Sequence, residues 1–179
     1  MQRVMIVGQP GSGKSTTARL LGERTGLPVF HMDHIHHLPD WVPRPMPDKV
    51  VMCQEVTDQE AWIFEGGLSA TYPERLQRAD TLVWIDIPMG LRFFRVLRRT
   101  FQHWGTNRPD LPEGCVERID RETFTFWKWI WDTRHTARAK IEAMAANPQG
   151  TRVVHLTSLK EVNAWLASLP SAPYLSDKE

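Results

Sequence analysis

Apolar residues fall along the chain in short runs separated by stretches of helical spacing. Residues 4–7, Val-Met-Ile-Val, are a continuous apolar run of strand length and read as a buried strand, and residues 15–21 behind it have helical composition. Gly26 and Pro28 then interrupt the pattern, and residues 28–32 read as a second short strand. Prolines 39, 43, 45 and 47 forbid a regular helix as far as about Pro47, so the stretch beyond the second strand is expected to be a long loop. Long loops inside compact domains are functional or disordered, and Trp41 and the histidines of this one speak for order. A helix is expected over residues 48–61, with Val50, Val51, Val56 and Ala61 among its apolar positions. Strand 62–64, a short helix 72–79, strand 81–87 closed by Pro88 and helix 91–101 follow. A Gly/Pro-broken loop covers 102–115, residues 116–146 read as mostly helix, then strand 151–156 and helix 159–169 end the pattern. The tail from Pro170 is expected to fray.

Strands that alternate with helices imply right-handed crossovers and a parallel sheet covered on both faces. Ligands of such sheets bind at the carboxyl ends of the strands. The groups that end the strands, the loop at Gly8, Asp33, Glu65 and Asp86, are therefore expected to converge on one cleft.

The stretch VMIVGQPGSGKSTTARLL carries the chemistry. Gly8, Gly13, Lys14 and Ser15 match G-x-x-x-x-G-K-[ST] at full spacing, between a strand and a helix as that pattern requires. Such a loop points successive N–H groups at anionic oxygens, and the helix behind it adds its positive end. Gly8, Pro10, Gly11, Ser12 and Gly13 form the cradle, Lys14 reaches the β/γ-phosphates, Ser15 ligates magnesium, and Thr16 is the next polar contact. The expected ligand is a nucleoside triphosphate, Mg-ATP.

Length and charge narrow the classes. With 179 residues and a net charge of +1, the chain is read as one domain with a sizeable core and no global field for nucleic acid or a membrane. Two cysteines, Cys53 and Cys115, are too far apart for a ligand pair, and no run of about 18 apolar residues occurs, so a cytoplasmic protein is expected. The chain runs directly into its first strand, which leaves no room for a signal peptide. Of eight tryptophans, Trp127, Trp129 and Trp131 alternate within a helical stretch, so at least one should be exposed or line a cleft.

The nucleotide loop, the acid after the third strand, the Arg-rich helix after the fourth and the loop beyond it resemble the adenylate kinase-like P-loop kinases. WIFEGGLSATYPERLQRADTLVWIDIP, RPDLPEGCVERID and FWKWIW bring the chain nearest a bacterial subgroup labelled DNA topology modulation or flagellar-regulation proteins. The resemblance implies an α/β, three-layer P-loop NTPase fold with a five-stranded parallel sheet of order 2-3-1-4-5 and a mobile lid. It also implies one kinase-like domain over 1–170, an acceptor segment at about 33–61, a lid at about 100–117 and a tail at 171–179. The family has Asp-Gly after the third strand. Here Glu65-Gly66 stands there, with Glu65 expected to hold a magnesium-bound water. The extra methylene displaces that water by about a bond length, which positioning catalysis tolerates poorly.

Arg92, Arg95 and Arg99 share a helix face, and the resemblance turns Arg95 and Arg99 toward the nucleotide; the alternative is a solvated basic face. Arg134 and Arg138 stand i, i+4 and are candidates for the transferred phosphoryl, or ordinary surface charge. Asp33 occupies the place where small-molecule kinases of this group put an acid for the acceptor hydroxyl; a turn or helix-capping role is the alternative. The resemblance gives Asp86 a structural role and makes Thr157, Ser158 and Leu159 the base-edge contact. His31, His34, His36 and His37 either line the acceptor pocket, sit on the surface, or, least in keeping with their spacing, hold a metal. Trp41 is either an apolar wall for the acceptor or an anchor of its loop, and FWKWIW is expected to pack the lid helix.

The expected function is transfer of the γ-phosphoryl of Mg-ATP to a small-molecule acceptor. Arg44 and Lys49, the only basic residues between Asp33 and Ala61, suffice for one phosphate at best, which favours a polar non-nucleotide acceptor over a nucleotide. The competing reading is a regulatory P-loop NTPase that acts on DNA topology or a partner protein. The near-neutral charge argues against DNA.

Overall fold

A computed structural model describes residues 1–108 and 110–170; the tail expected at 171–179 lies outside the described residues. The strands are β1 (Arg3–Val7), β2 (Val29–His31), β3 (Trp62–Glu65), β4 (Thr81–Ile85) and β5 (Arg152–Leu156). The helices are α1 (Lys14–Thr25), α2 (Met32–His36), α3 (Met46–Thr57), α4 (Tyr72–Arg78), α5 (Met89–Gln102), α6 (Arg121–Asp132), α7 (Arg134–Ala146) and α8 (Leu159–Ser168). All strand pairs are parallel, and the sheet order is β2-β3-β1-β4-β5, as expected.

The side-chain alternation of a strand divides the core in two. Met5, Val7, Trp62, Phe64, Leu82 and Trp84 belong to one layer, completed by Ile35, Cys53, Leu76 and Ile141. Val4, Ile6, Ile63, Val83 and Ile85 belong to the other, covered by Ala18, Leu21, Val162 and Leu166. Each large apolar side chain so buried contributes roughly 1.5–3 kcal/mol. Gly26, in the left-handed region at φ 74°, ends α1 and returns its N–H to the Gly22 carbonyl.

Two expectations are corrected. The stretch after β2 is not loop throughout, because no proline falls between Met32 and Leu38 and one turn of helix fits there. Met32 and Ile35, three apart, bury its inner side. Helix α3 begins at Met46, with Pro47 in its first turn, where a missing N–H removes no helical bond. The second correction concerns FWKWIW, of which Ile130 is buried while Phe126, Trp129 and Trp131 are exposed at 38%, 49% and 52%. Exposed tryptophans on this helix are what the alternating pattern requires. The helical stretch also breaks at Thr133, which ends α6 and starts α7. Among the described residues, no helix is long and apolar enough to cross a membrane.

Arg75 on α4 is fully buried under the turn that follows β3. Its guanidinium donates to the Phe64 and Gly66 carbonyls, both at 2.9 Å, and lies 4.1 Å from the Phe64 ring centre. Burial draws its pKa below the ordinary arginine value. Arg75→Met keeps the apolar stem but leaves both carbonyls without this donor. Urea denaturation of that variant should show a loss of about 2–6 kcal/mol, from roughly 1–3 kcal/mol for each of the two carbonyls.

Candidate active site

The loop from Gly8 to Ser15 joins β1 to α1 at the carboxyl edge of the sheet. Within the loop the Gln9 carbonyl accepts from Ser12 N–H at 3.1 Å and from Lys14 Nζ at 3.4 Å; the first N–H groups of α1 have no helical acceptors. Gly11 is at φ 79°, and a Cβ there would run into the carbonyl of Arg92, so the loop passes where no side chain fits. Arg92 is 3% exposed and donates to the carbonyls of Ile87, at 2.9 Å, and Pro10, at 3.3 Å. It braces the loop from behind. Arg95 donates to the Ser12 carbonyl at 3.4 Å, and its guanidinium covers Gly13. Ser12 Oγ is buried and has no partner among the described residues.

Three charged groups meet beside this loop. Burial pulls the Lys14 pKa down, opposed by the negative charges of Glu65 and Asp33. Burial pushes the Asp33 pKa up, Glu65 pushes the same way, and Lys14, His37 and Arg108 oppose. Glu65 stays 2% exposed and accepts His31 Nδ1 at 2.8 Å. Their contact follows from register: His31 and Glu65 are paired positions of parallel neighbours β2 and β3, so their side chains share a face. Burial works against a charged His31, but the Glu65 bond and charge outweigh it and raise its pKa. Gly66, at φ 114°, lets α2 sit against this turn, because a Cβ there would overlap Met32. That seating carries Asp33 to Glu65.

Arg99 reaches the same region from α5. Its Nε is buried and unpartnered among the described residues, and burial followed by the charge of Arg108 lowers its pKa. Arg98 is exposed. Ser15 is half-buried and Thr16 exposed at the mouth of the loop. Gly8 and Pro10 complete the loop's wall. Arg134 behaves differently: its carbonyl accepts Gln9 Nε2 at 2.8 Å, while its guanidinium lies 4.3 Å from the Trp131 ring centre. Arg138 pairs with Asp86 at 2.9 Å and with Glu142 at 3.0 Å. Asp86 also meets His155 at 3.2 Å, and His155 stacks on Trp84 at 3.9 Å. Asp86 is thus a structural anchor between β4, β5 and α7. The N–H and hydroxyl of Thr157 are held by Glu161 at 2.7 and 3.1 Å.

The segment between α5 and α6 is pinned by Arg108, a residue that sequence reasoning did not single out. It is 5% exposed and ion-paired with Glu117 at 2.9 Å and Asp110 at 3.1 Å. The available signal was one arginine with three acids, Asp110, Glu113 and Glu117, inside a Gly/Pro-broken stretch. This segment is sewn to residues 38–41. Trp41 Nε1 donates to the Val116 carbonyl at 2.8 Å, Cys115 Sγ lies 3.4 Å from the Leu38 carbonyl, and Arg118 is 3.6 Å from Asp40. Asp40 and Trp41 both adopt left-handed backbone, at φ 57° and 61°, which costs free energy in residues other than glycine. Trp41 therefore anchors its loop to the segment opposite. The Trp41 ring also packs edge-on against His37 at 5.2 Å. Among the described residues, no group of three His, Cys, Asp or Glu side chains gathers as a metal site, and His31 and His37 are engaged as above.

No family model matches the chain. A curated relative, the uncharacterized protein YqaC of Bacillus subtilis (strain 168), is 26% identical over 137 residues, 73% of each chain. Among solved structures, a shikimate kinase from Acinetobacter baumannii in complex with shikimate superposes with a TM-score of 0.58 at 16% identity, over 93% of this chain and 89% of that one. A shikimate kinase from Bacteroides thetaiotaomicron gives 0.54 at 15% identity, over 93% and 94%. An unliganded sugar kinase from Janibacter sp. HTCC2649 gives 0.51 at 14%, over 93% of each. At these identities the likeness is one of fold: the chain has the five-stranded parallel architecture of the P-loop kinases.

Proposed function

We propose that this chain transfers the γ-phosphoryl group of Mg-ATP to a hydroxyl group of a small molecule. The observation that carries the reading is the meeting of Lys14, Asp33 and Glu65 at the open side of the glycine loop. The kinship with the subgroup labelled DNA topology modulation is part of the same proposal, and that label names no chemistry.

The triphosphate lies along the loop N–H groups of Gly11 and of Gly13 to Thr16, with Lys14 on the β/γ-oxygens. The donor set fits magnesium, since Ser15 offers a hydroxyl and Glu65 keeps one carboxylate oxygen beyond the one taken by His31. Magnesium, when bound, neutralises charge between the β- and γ-phosphates. Asp33 orients the acceptor hydroxyl and takes its proton as the oxygen attacks phosphorus and the bond to the bridging oxygen of ADP breaks. Arg95 and Arg99 face the charge that develops there. Residues of the segment between α5 and α6, about 100–117, close over the phosphates as a lid, and Arg134 turns from Trp131 to the phosphoryl group in the closed state. Residues 1–170 act as one kinase unit, with the acceptor held by about 33–61.

Lys14→Met should weaken triphosphate binding at least tenfold and lower acceptor-dependent ADP release by about 10²–10³, read by calorimetry and a coupled assay. Asp33→Asn should keep ATP affinity and lose about 10²–10⁴ in kcat. Because Asp33 titrates above the ordinary carboxylate range and acts deprotonated, the wild-type rate should fall on the acid side through that raised pKa. The Asn variant should lack this limb. Trp41→Phe keeps the ring against His37 but removes the N–H bond to Val116. Hydrogen exchange should then show faster exchange in 114–118 with ATP affinity unchanged. Retention of duplex DNA at low salt, together with no acceptor-dependent turnover, would instead favour the regulatory NTPase.

A further inference from the structure

The Glu65 carboxylate is held at one point. Its side chain is 3% exposed, and among the described residues its one hydrogen-bond partner is His31, whose Nδ1 lies 2.8 Å from Oε1. An ionised carboxylate only accepts, so Nδ1 carries the hydrogen and donates it. The bond takes one carboxylate oxygen and leaves Oε2 uncommitted among the described residues.

The sheet builds this contact. Strand β3 lies between β1 and β2, and Glu65 is in register with Ile6 on one side and with His31 on the other. On the Ile6 side, β1 runs into the glycine loop two residues further on. On the His31 side, β2 ends and α2 begins at once with Met32. Parallel neighbours lie about 4.8 Å apart and paired residues turn their side chains to the same face, which brings an imidazole on β2 to a carboxylate on β3. The imidazole is itself well covered, its side chain 20% exposed and its ring 5.8 Å from that of His34. A glutamate carboxylate turns about one more bond than an aspartate carboxylate, so without a tether it is spread over more rotamers. His31 is the tether.

We propose that His31 is a positioning residue for the metal side of the cleft: through Nδ1 it holds Glu65 in the single rotamer that turns Oε2 toward the magnesium of the nucleotide. The assignment rests on the phosphotransfer reading above and adds a residue to it. In this role His31 touches neither the nucleotide nor the acceptor and acts only through Glu65. The hydrogen on Nδ1 is what matters, and the rest of the ring serves to reach across from β2. The bond therefore governs how tightly the metal is held, and it leaves the grip of the glycine loop on the phosphates as it is.

The test is a titration of Mn²⁺, as the magnesium probe, into the full chain held in excess over β,γ-imido-ATP, with free Mn²⁺ read by electron paramagnetic resonance. Three substitutions separate the donor from the bulk. The amide nitrogen of asparagine takes the place of Nδ1, that of glutamine takes the place of Nε2, and phenylalanine keeps a ring without a donor. His31→Phe and His31→Gln should weaken Mn²⁺ binding about tenfold, while His31→Asn should stay within about threefold of the wild type. In a Glu65→Asp background, whose shorter side chain falls out of reach of Nδ1, His31→Phe should change Mn²⁺ affinity less than about twofold. Affinity for β,γ-imido-ATP in the presence of EDTA should be the same in all His31 variants, with thermal unfolding as the check of folding. Unchanged Mn²⁺ affinity in His31→Phe and His31→Gln overturns the proposal, as does an equal loss in His31→Asn. An undiminished effect of His31→Phe in the Glu65→Asp background also overturns it, because His31 would then act by another route. Each of these results leaves phosphotransfer standing, whereas failure of the wild-type protein to bind β,γ-imido-ATP with magnesium sinks the phosphotransfer reading itself.

Discussion

The cleft depends on the ammonium of Lys14. A cation held at the end of a parallel sheet is stable only if negative charge is brought to it, and the chain brings Glu65 and Asp33 from two different strand ends. Each of those carboxylates is itself constrained. Glu65 is fixed by the register of β2 on β3, which sets His31 beside it. Asp33 is fixed by α2, which can approach only because Gly66 has no side chain. Glu65 and Asp33 both favour the charged form of Lys14, while Glu65 disfavours the charged form of Asp33.

What could be read beforehand divides along a physical line. The positions of the strands and the glycine loop were legible, since apolar runs such as Val4 to Val7 and a fixed motif spacing carry their own meaning, whereas the sheet order came from the resemblance to the P-loop kinases. Asp33 and Glu65 were legible as strand-end groups for the same reason. The helix that holds Asp33 was not, because five residues give too short a window for periodicity, and the prolines beyond dominate the local pattern. Arg75 and Arg108 were also hidden. Their place under a turn and inside an irregular segment follows from carbonyls and acids distant in the chain, and arginine by itself suggests surface. The fate of FWKWIW was misjudged because aromatic content suggests core, while only Ile130 of α6 is turned inward.

The cations of the molecule differ in how they are matched. Arg108 is matched by Glu117 and Asp110, and Arg138 by Asp86 and Glu142. These pairs are structural in the sense that removing one member strands the other. The Nε of Arg99 stands outside this pairing among the described residues.

The seam between Trp41 and Val116 has a consequence for how such a protein can change over time. Residues 37–42 and 114–118 are far apart along the chain yet share a bond, a thiol–carbonyl contact and an ion pair. A substitution on one side alters the footing of the other. Recombining this chain with a relative would have to exchange both stretches together, as one inherited cassette, while the sheet beneath them stays indifferent to the swap.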